Sequence, residues 1–280
     1  MKINRLFLSI AILTALSHAT YDLFPVPQGT GGSVRQSNTL YMGNEDASDD
    51  DENDWAGRHA LEGRFFTHNF ELYVQLFGGH WDAFHSSYDL CGALDFAFGL
   101  KYQINPIFSA FMDIDGIPYG TDEVNIRHLK FGAQFSGQVN SVVTLASEVG
   151  FKNPFEREYD KDHLENRYGA KKLTWDQGGI LNFTFEADFK IKRVILFALT
   201  NFEVQLNDTE FKLYSAYDDE KLTAKDGLGD ILFDFIYGIN VITGQFNLEL
   251  NQGLRVGDLR ELTYAPGYVF TLGVILKYNI

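Results

Sequence analysis

The chain has 280 residues, a length that suits either one all-β unit or two ordinary domains. Its 23 Lys and Arg residues stand against 38 Asp and Glu residues, and the net charge of −15 argues against a nucleic-acid partner, which needs a basic face. The single cysteine excludes an internal disulfide framework and a Cys-rich zinc site, and we expect no cofactor.

Residues 1–19 have the parts of a cleaved signal peptide. Lys2 and Arg5 supply the positive start, an apolar run extends from Leu6 to Leu16, and small residues follow it. The run is too short for a membrane-anchoring helix, which needs about 20 apolar residues. We therefore expect export and cleavage, after which the loss of two basic residues takes the net charge from −15 to −17.

Residues 20–62 lack the periodicity of a packed element and contain an acidic cluster, so we expect a mostly disordered acidic arm. Within the cluster, Asp49, Asp51 and Asn53 match the first, third and fifth positions of a calcium-binding loop. Asp54 stands where that loop requires Gly, and no Glu follows at the twelfth position. The arm is therefore not predicted to hold a metal.

From Gly63 onward, apolar and polar residues alternate with a period of two, which is typical of half-buried β-strands. Residues 94–102 show the alternation most plainly, because every second side chain is Leu, Phe or Tyr. The alternation predicts ten strands, at 64–78, 89–104, 106–115, 125–138, 141–153, 176–190, 193–206, 229–242, 244–254 and 267–280.

The connections between these segments alternate in length. Tight hairpins follow the second, fourth, sixth and eighth segments, whereas the joins at 79–88, 116–124, 154–175, 207–228 and 255–266 are long and polar. Short turns on one side and long loops on the other are typical of outer-membrane barrels, whose short turns are periplasmic and whose long loops are extracellular.

The fold prediction is therefore all-β, an antiparallel up-and-down transmembrane β-barrel of about ten strands over residues 63–280. The sequence leaves open a twelve-stranded barrel in which residues 34–42 join an extra hairpin. Alternation alone also fits a secreted β-sandwich, which has one buried and one solvated face in each sheet. Phe- and Leu-rich apolar faces and small residues on the polar faces favour the barrel.

The last segment resembles the C-terminal β-signal of bacterial outer-membrane β-barrel proteins. In that class, a polar residue is followed by a glycine two positions later and by two apolar or aromatic residues near the end. Thr271, Gly273, Leu276 and Tyr278 fill these places, and Ile280 stands where Phe is commoner. The resemblance implies recognition by the barrel-assembly machinery and insertion among the outer-membrane lipids of a Gram-negative bacterium.

Charged residues on the polar face are candidates for lining the lumen. Pairing about Asn105 is expected to place Asp95 opposite Asp115, with Asp113 one inward position away and Lys130 within reach on the next strand. We interpret these groups as part of a salt-bridge network that fills the lumen and fixes the register. The candidate lumen and ion-contacting residues are Asp95, Asp113, Asp115, Lys130, Glu148, Glu186, Asp234 and Glu249.

The same regions also contain residue types that suit other chemistry. The three clustered aspartates suit a hard cation, or an acid/base pair similar to that of ten-stranded outer-membrane proteases, although no His–Asp partner is evident. His85 and Ser86 resemble the pair of barrel lipid hydrolases, but they lie in a predicted loop. His128 is expected to be a hydrogen-bonded lumen residue and Cys91 an unpaired small residue. No catalytic residue or metal ligand is predicted.

The leading functional hypothesis is a non-enzymatic outer-membrane barrel, which is either a narrow porin-like channel for small cations and solutes or a surface interaction barrel. Its long loops are rich in Tyr and charge, so surface glycans or proteins are candidate partners. The alternatives are an outer-membrane hydrolase with acidic residues at the extracellular mouth and a secreted polysaccharide-binding β-sandwich.

Overall fold

A computed structural model describes most of the chain, and its strands account for the alternation in the sequence. The described residues are 23–27, 29–43, 54–81, 94–119, 128–155, 157–159, 170–176, 178–215, 221–257 and 267–279. Within these ranges, no helix is long and apolar enough to cross a membrane.

Twelve antiparallel strands form a closed barrel. They are β1 (Thr30–Gly43), β2 (Asp54–Thr67), β3 (Phe70–Trp81), β4 (Leu94–Gln103), β5 (Phe108–Tyr119), β6 (His128–Gln138), β7 (Val143–Pro154), β10 (Ile180–Ile191), β11 (Val194–Gln205), β14 (Ile231–Thr243), β15 (Phe246–Gly257) and β16 (Gly267–Asn279). Each strand pairs with its neighbours in chain order, and β1 closes the ring by pairing with β16. The predicted all-β barrel is confirmed.

The barrel has twelve strands instead of the leading expectation of ten, and β1 and β2 form the extra hairpin that the sequence left open. Most of the segment expected to be a disordered arm is therefore two long strands. The alternation did not reveal β1 because this strand carries polar residues on both faces, with Gln36 and Asn38 between Val34 and Leu40 on the outward side. Residues 1–22 and 44–53, which hold the expected signal peptide and most of the acidic cluster, lie outside the described residues.

The long connections at 154–175 and 207–228 contain a second sheet instead of only loop. Its strands are β8 (Arg157–Tyr159), β9 (Ala170–Asp176), β12 (Thr209–Ser215) and β13 (Lys221–Asp226), in the order β13-β12-β9-β8. Strands β8 and β9 lie between β7 and β10 in the chain, and β12 and β13 lie between β11 and β14. This outer sheet therefore stands at the rim that carries the long connections. We call this end the long-connection rim and the opposite end the short-turn rim.

Tight turns join the strands at the short-turn rim. His68, Lys192 and Gly244 begin two-residue turns, and all three have positive φ, which lets the chain reverse within two residues. Both termini of the barrel, at Thr30 and Asn279, lie at this rim as well. This arrangement matches the predicted alternation of short turns and long connections.

The two faces of the wall differ in chemistry, as the alternation predicts. Outward side chains are exposed and apolar, including Leu72, Val74, Leu76, Phe98, Leu100, Phe183, Phe185, Phe233, Phe235, Leu248 and Leu250. Inward side chains are mostly polar and buried. Aromatic pairs lie on the outer surface of the barrel at the short-turn rim, as in the aromatic girdles of membrane barrels. Examples are Phe70–Tyr102 and Phe246–Tyr278, whose ring centroids are 4.7 and 4.8 Å apart.

The predicted register of the β4–β5 hairpin is wrong, which matters for the site. The hairpin pairs Lys101 with Phe111, a shift of two residues from pairing about Asn105, and an extra residue in β5 then lets Phe96 pair with Ile117 while Phe98 pairs with Ile114. The shift and the bulge together place Asp95 opposite Pro118 in the backbone register, and not opposite Asp115 as expected.

Candidate functional site in the barrel lumen

An ion-pair cluster lies on the lumen side of β2 and β3. The Arg64 guanidinium is buried between two carboxylates, with its Nε 2.5 Å from Glu62 Oε1 and its Nη1 2.7 Å from Glu71 Oε1. The same guanidinium lies 5.6 Å from the centroid of the Tyr73 ring. Both carboxylates are also buried, so each charge here is compensated by a close partner inside the wall.

A second cluster lies on β5, β6 and β7. Lys130 Nζ forms an ion pair with Glu148, whose other oxygen accepts a hydrogen bond from Gln134 Nε2 at 2.7 Å. Asp113 is the direct neighbour of Lys130 in the β5–β6 register and is buried with it. The predicted salt-bridge partners Lys130 and Glu148 are therefore in contact in the lumen.

An aromatic ring supports this cluster. Phe111 is buried in the lumen, and its ring centroid is 5.3 Å from Lys130 Nζ. A Cβ atom added to Gly132 would be 3.0 Å from this ring, and one added to Gly150 would be 3.3 Å from it. Because these two glycines have no Cβ, the Phe111 ring can lie directly over them.

The lumen face of β10, β11 and β14 carries a chain of amide and carboxylate groups. Asn201 Oδ1 accepts hydrogen bonds from Asn182 Nδ2 and from Thr184 Oγ1, the latter at 2.9 Å. Asn201 Nδ2 donates to Glu203 Oε1 at 3.1 Å and to Asp234 Oδ2 at 3.3 Å. Lys152 Nζ lies 2.8 Å from Glu203 Oε1, which joins this chain to β7.

These groups form one continuous row around the wall. Strand pairing places Gln134 beside Glu148, Glu148 beside Thr184, Thr184 beside Asn201 and Asn201 beside Asp234. We call these five residues the polar row, and its four strand spacings cover about 19 Å. Gln134 Oε1 accepts no hydrogen bond from any described residue, although this oxygen is buried. The row therefore contains one acceptor without a donor among the described residues.

The stretch Leu23–Pro27 also lies in the lumen, at the short-turn rim. Leu23 and Val26 are 2% and 1% exposed. Lys101 Nζ donates a hydrogen bond to the Phe24 carbonyl at 2.5 Å, and Gln103 Oε1 accepts one from the Val26 amide at 2.8 Å. The chain thus folds back into the barrel before β1 begins, which nothing in the alternation pattern predicts.

The predicted lumen residues divide into three groups by their position. Asp113, Lys130, Glu148 and Asp234 are buried in the lumen, as is His128. Glu186 and Glu249 are inward and partly exposed. The side chains of Asp95 and Asp115 lie outside the described part of the structure, and so do His85, Ser86 and Cys91.

The structure describes no metal site. Among the described side chains, no three His, Cys, Asp or Glu residues lie close enough together to hold a metal ion. In the backbone register, Asp113 pairs with Lys130, and the backbone position of Asp115 pairs with that of His128.

The C-terminal segment forms the closing strand. Thr271, Gly273, Leu276 and Tyr278 all lie in β16, which pairs with β15 on one side and β1 on the other. Leu276 and Tyr278 face outward, and Gly273 is buried against the Asn251 side chain. Recognition of these residues by the assembly machinery stays a prediction.

Several lumen residues were not singled out from the sequence. Asn182, Asn201 and Glu203 share the inward parity of Glu186, so the alternation itself could have identified them. Arg64 lies just inside the predicted first segment, where its polar neighbours would have indicated a lumen position.

No family model and no curated protein matches the sequence. An outer-membrane channel from Pseudomonas putida F1 is similar in structure, with a TM-score of 0.63 at 11% identity over 94% of this chain and 100% of that one. The NanC porin gives a TM-score of 0.54 at 7% identity over 88% and 100%. The Pseudomonas putida toluene transporter TodX gives 0.50 at 8% identity over 95% of both chains. The chain therefore has the fold of bacterial outer-membrane β-barrel channels.

Proposed function

We propose that this protein is a narrow, non-enzymatic channel for small polar solutes in the outer membrane of a Gram-negative bacterium, and that it favours cations. The observation that carries the proposal is the polar row, which lines the wall from β6 to β14 with carboxylate, amide and hydroxyl groups. In this proposal the short-turn rim faces the periplasm and the long-connection rim faces outside, as in other outer-membrane barrels.

Charge supports the preference for cations. The described inward carboxylates are Glu62, Glu71, Asp113, Glu148, Glu186, Asp188, Glu203, Asp234 and Glu249, whereas the described inward bases are Arg35, Arg64, Lys101, Lys130, Lys152, Lys190 and Lys277. The excess of carboxylates gives the lumen a negative potential, which raises the local concentration of cations.

The lining also favours polar over hydrocarbon solutes. One structural neighbour is named as a toluene transporter. In this chain the described middle of the lumen is polar, and a hydrocarbon forms no hydrogen bonds with its amide and carboxylate groups. A solute that carries hydroxyl, amine or ammonium groups can form them.

Planar-bilayer recording of the purified full chain tests the channel. We expect single-channel currents whose reversal potential in a KCl gradient shows preference for K⁺ over Cl⁻. Glu148→Gln combined with Asp234→Asn should shift the reversal potential toward that of an unselective pore, because both carboxylates belong to the polar row.

Glu210→Gln is the matched control, since Glu210 pairs with Lys212 and Lys225 in the outer sheet. It should leave the reversal potential unchanged. A chain that is folded and inserted but passes no current would contradict the channel, and equal shifts in both variants would contradict a role for the polar row.

A second candidate function is an interaction barrel that presents its outer sheet to surface glycans. The specific observation is that β8, β9, β12 and β13 order the two long connections into one sheet. Glycan-array binding that is lost when residues 157–176 and 209–226 are each replaced by Gly-Ser linkers would favour this candidate. Unchanged binding in the folded variant would remove it.

A further inference from the structure

The stretch Leu23–Pro27, with the sequence Leu-Phe-Pro-Val-Pro, is held in the lumen as a ligand would be held. We call these residues the N-terminal strap. Two of its apolar side chains, Leu23 and Val26, are almost completely buried, Phe24 is partly buried, and both prolines are exposed. The strap is thus packed into the barrel through Leu23 and Val26.

The barrel contacts the strap through main-chain atoms. Lys101 donates to the Phe24 carbonyl, and Gln103 accepts from the Val26 amide. Both side chains point inward from β4 and stand two residues apart, about 6.6 Å along the strand. Phe24 and Val26 also stand two residues apart, so the donor and acceptor on β4 match one carbonyl and one amide of the strap.

The prolines make the strap suited to this site. Pro25 and Pro27 have no N–H, so Val26 carries the amide donor between them, and the site supplies its acceptor. The residue before each proline is biased toward extended backbone, which lowers the entropy lost on binding. The contacts combine two main-chain hydrogen bonds with apolar side chains three residues apart, and none of them uses a charged strap residue.

We propose that the lumen surface around Lys101 and Gln103 is a binding site for a short, apolar, proline-containing peptide, and that the strap occupies it as a tethered ligand that narrows the short-turn mouth. Vacating the site widens the mouth, and a free peptide of the same chemistry refills it. The gating half of the proposal rests on the proposed channel function, whereas peptide binding does not.

Conductance of strap variants in planar bilayers tests the gating half. Deletion of residues 23–27, and separately Leu23→Asp with Val26→Asp, should each raise the single-channel conductance at least twofold. The matched control is Ile107→Asp with Val139→Asp, because both residues are exposed in short turns at the same rim. This control should keep the wild-type conductance, and a shift in SDS gel mobility on boiling verifies that each variant is folded.

Peptide rescue tests the binding half. The acetylated and amidated peptide Leu-Phe-Pro-Val-Pro, added to the side that faces the short-turn rim, should return the deletion variant to wild-type conductance. The same peptide with Asp in place of Leu and Val should have no effect. In detergent, fluorescence anisotropy of the labelled peptide should rise with the deletion variant and stay low with the full chain, whose own strap fills the site.

The outcomes separate this proposal from the channel. Currents of equal size in the full chain and in both folded strap variants would overturn the gate. Failure of the labelled peptide to bind the folded deletion variant would overturn the binding site, whatever the currents show. Peptide binding without any current in any variant would instead contradict the proposed channel and leave the binding site supported.

Discussion

At the scale of single residues, large lumen side chains lie across glycines on neighbouring strands. Phe111 lies over Gly132 and Gly150, and Asn251 lies against Gly273. These side chains lie along the wall, over positions where a neighbour has no Cβ, and not toward the barrel axis. The glycine of the terminal motif therefore has a packing role in the folded barrel, in addition to any role in assembly.

The close packing around Gly132 predicts that adding a single methyl group there destabilises the barrel. A Cβ atom there would lie 2.1 Å from the Val149 carbonyl oxygen and 2.7 Å from the Gly150 Cα, so the backbone of β7 must shift. Gly132→Ala should lower the free energy of unfolding by about 1–3 kcal/mol. Urea unfolding in detergent micelles, followed by tryptophan fluorescence, measures the change.

Gly137 in the same strand is the control. It is exposed, and a Cβ atom there meets nothing within 4 Å. Gly137→Ala should leave the stability unchanged or raise it slightly, since alanine restricts the unfolded chain. Equal losses in the two variants would mean that β6 disfavours alanine in general and that the contact with β7 is not the cause.

At the scale of strands, the alternation predicted which residues face the lumen even where it misplaced their partners. Pairing about Asn105, as expected from the sequence, would place Lys101 opposite Ser109, whereas Lys101 pairs with Phe111. This shift is two residues. Side chains repeat every two residues, so a shift of two changes the partner and preserves the face.

The alternation could not predict three features of the structure, each for a different physical reason. The strand β1 has too few outward apolar residues to show alternation. The bulge near Asp115 depends on how β4 and β5 fit together, which periodicity does not encode. The strap binds through main-chain atoms, which every sequence supplies, so only the folded site of Lys101 and Gln103 identifies its place.

The outward face predicts a large penalty for charge in the middle of a strand. Leu250 is exposed midway along β15 on the apolar side. Leu250→Lys should lower the free energy of unfolding in lipid by about 2–4 kcal/mol, the cost of a basic residue near the bilayer midplane. Urea titration in phosphatidylcholine vesicles, with folded and unfolded forms separated by gel mobility, measures it.

Ser141→Lys provides the comparison for that penalty. Ser141 is exposed in the short turn between β6 and β7, where a lysine side chain reaches water. The variant should match the wild type in vesicles. If Leu250→Lys is equally harmless, the outward face is not in contact with lipid, and a soluble sheet protein becomes the better description.

At the scale of the whole molecule, closure by β1 and β16 decides the size of the barrel. Twelve strands enclose a bore between the filled eight-stranded barrels and the open sixteen-stranded porins. Such a bore leaves room for both a lining of polar groups and the strap. A ten-stranded barrel closed by β3 and β16 would be narrower and would leave β1 and β2 outside it.

A disulfide across the closing seam distinguishes the two sizes. Ser37 on β1 and Ile275 on β16 are direct partners, and both face the lumen. In a chain with Cys91→Ser, the pair Ser37→Cys and Ile275→Cys should form a crosslink under a mild oxidant, since antiparallel partners have Cα atoms about 4.5–5.5 Å apart. The crosslinked barrel should resist boiling in SDS, because the seam can no longer open.

The control pairs Ser37→Cys with Glu249→Cys. Glu249 is the partner of Ile275 on β15, so it stands two strands from Ser37, about 9.6 Å away across the sheet. That distance exceeds the reach of a disulfide, and no crosslink is expected. If neither pair crosslinks in the folded, membrane-inserted protein, β1 does not close the ring. The strap just before it would then lose its fixed position in the mouth, so the size of the barrel and the peptide site depend on the same seam.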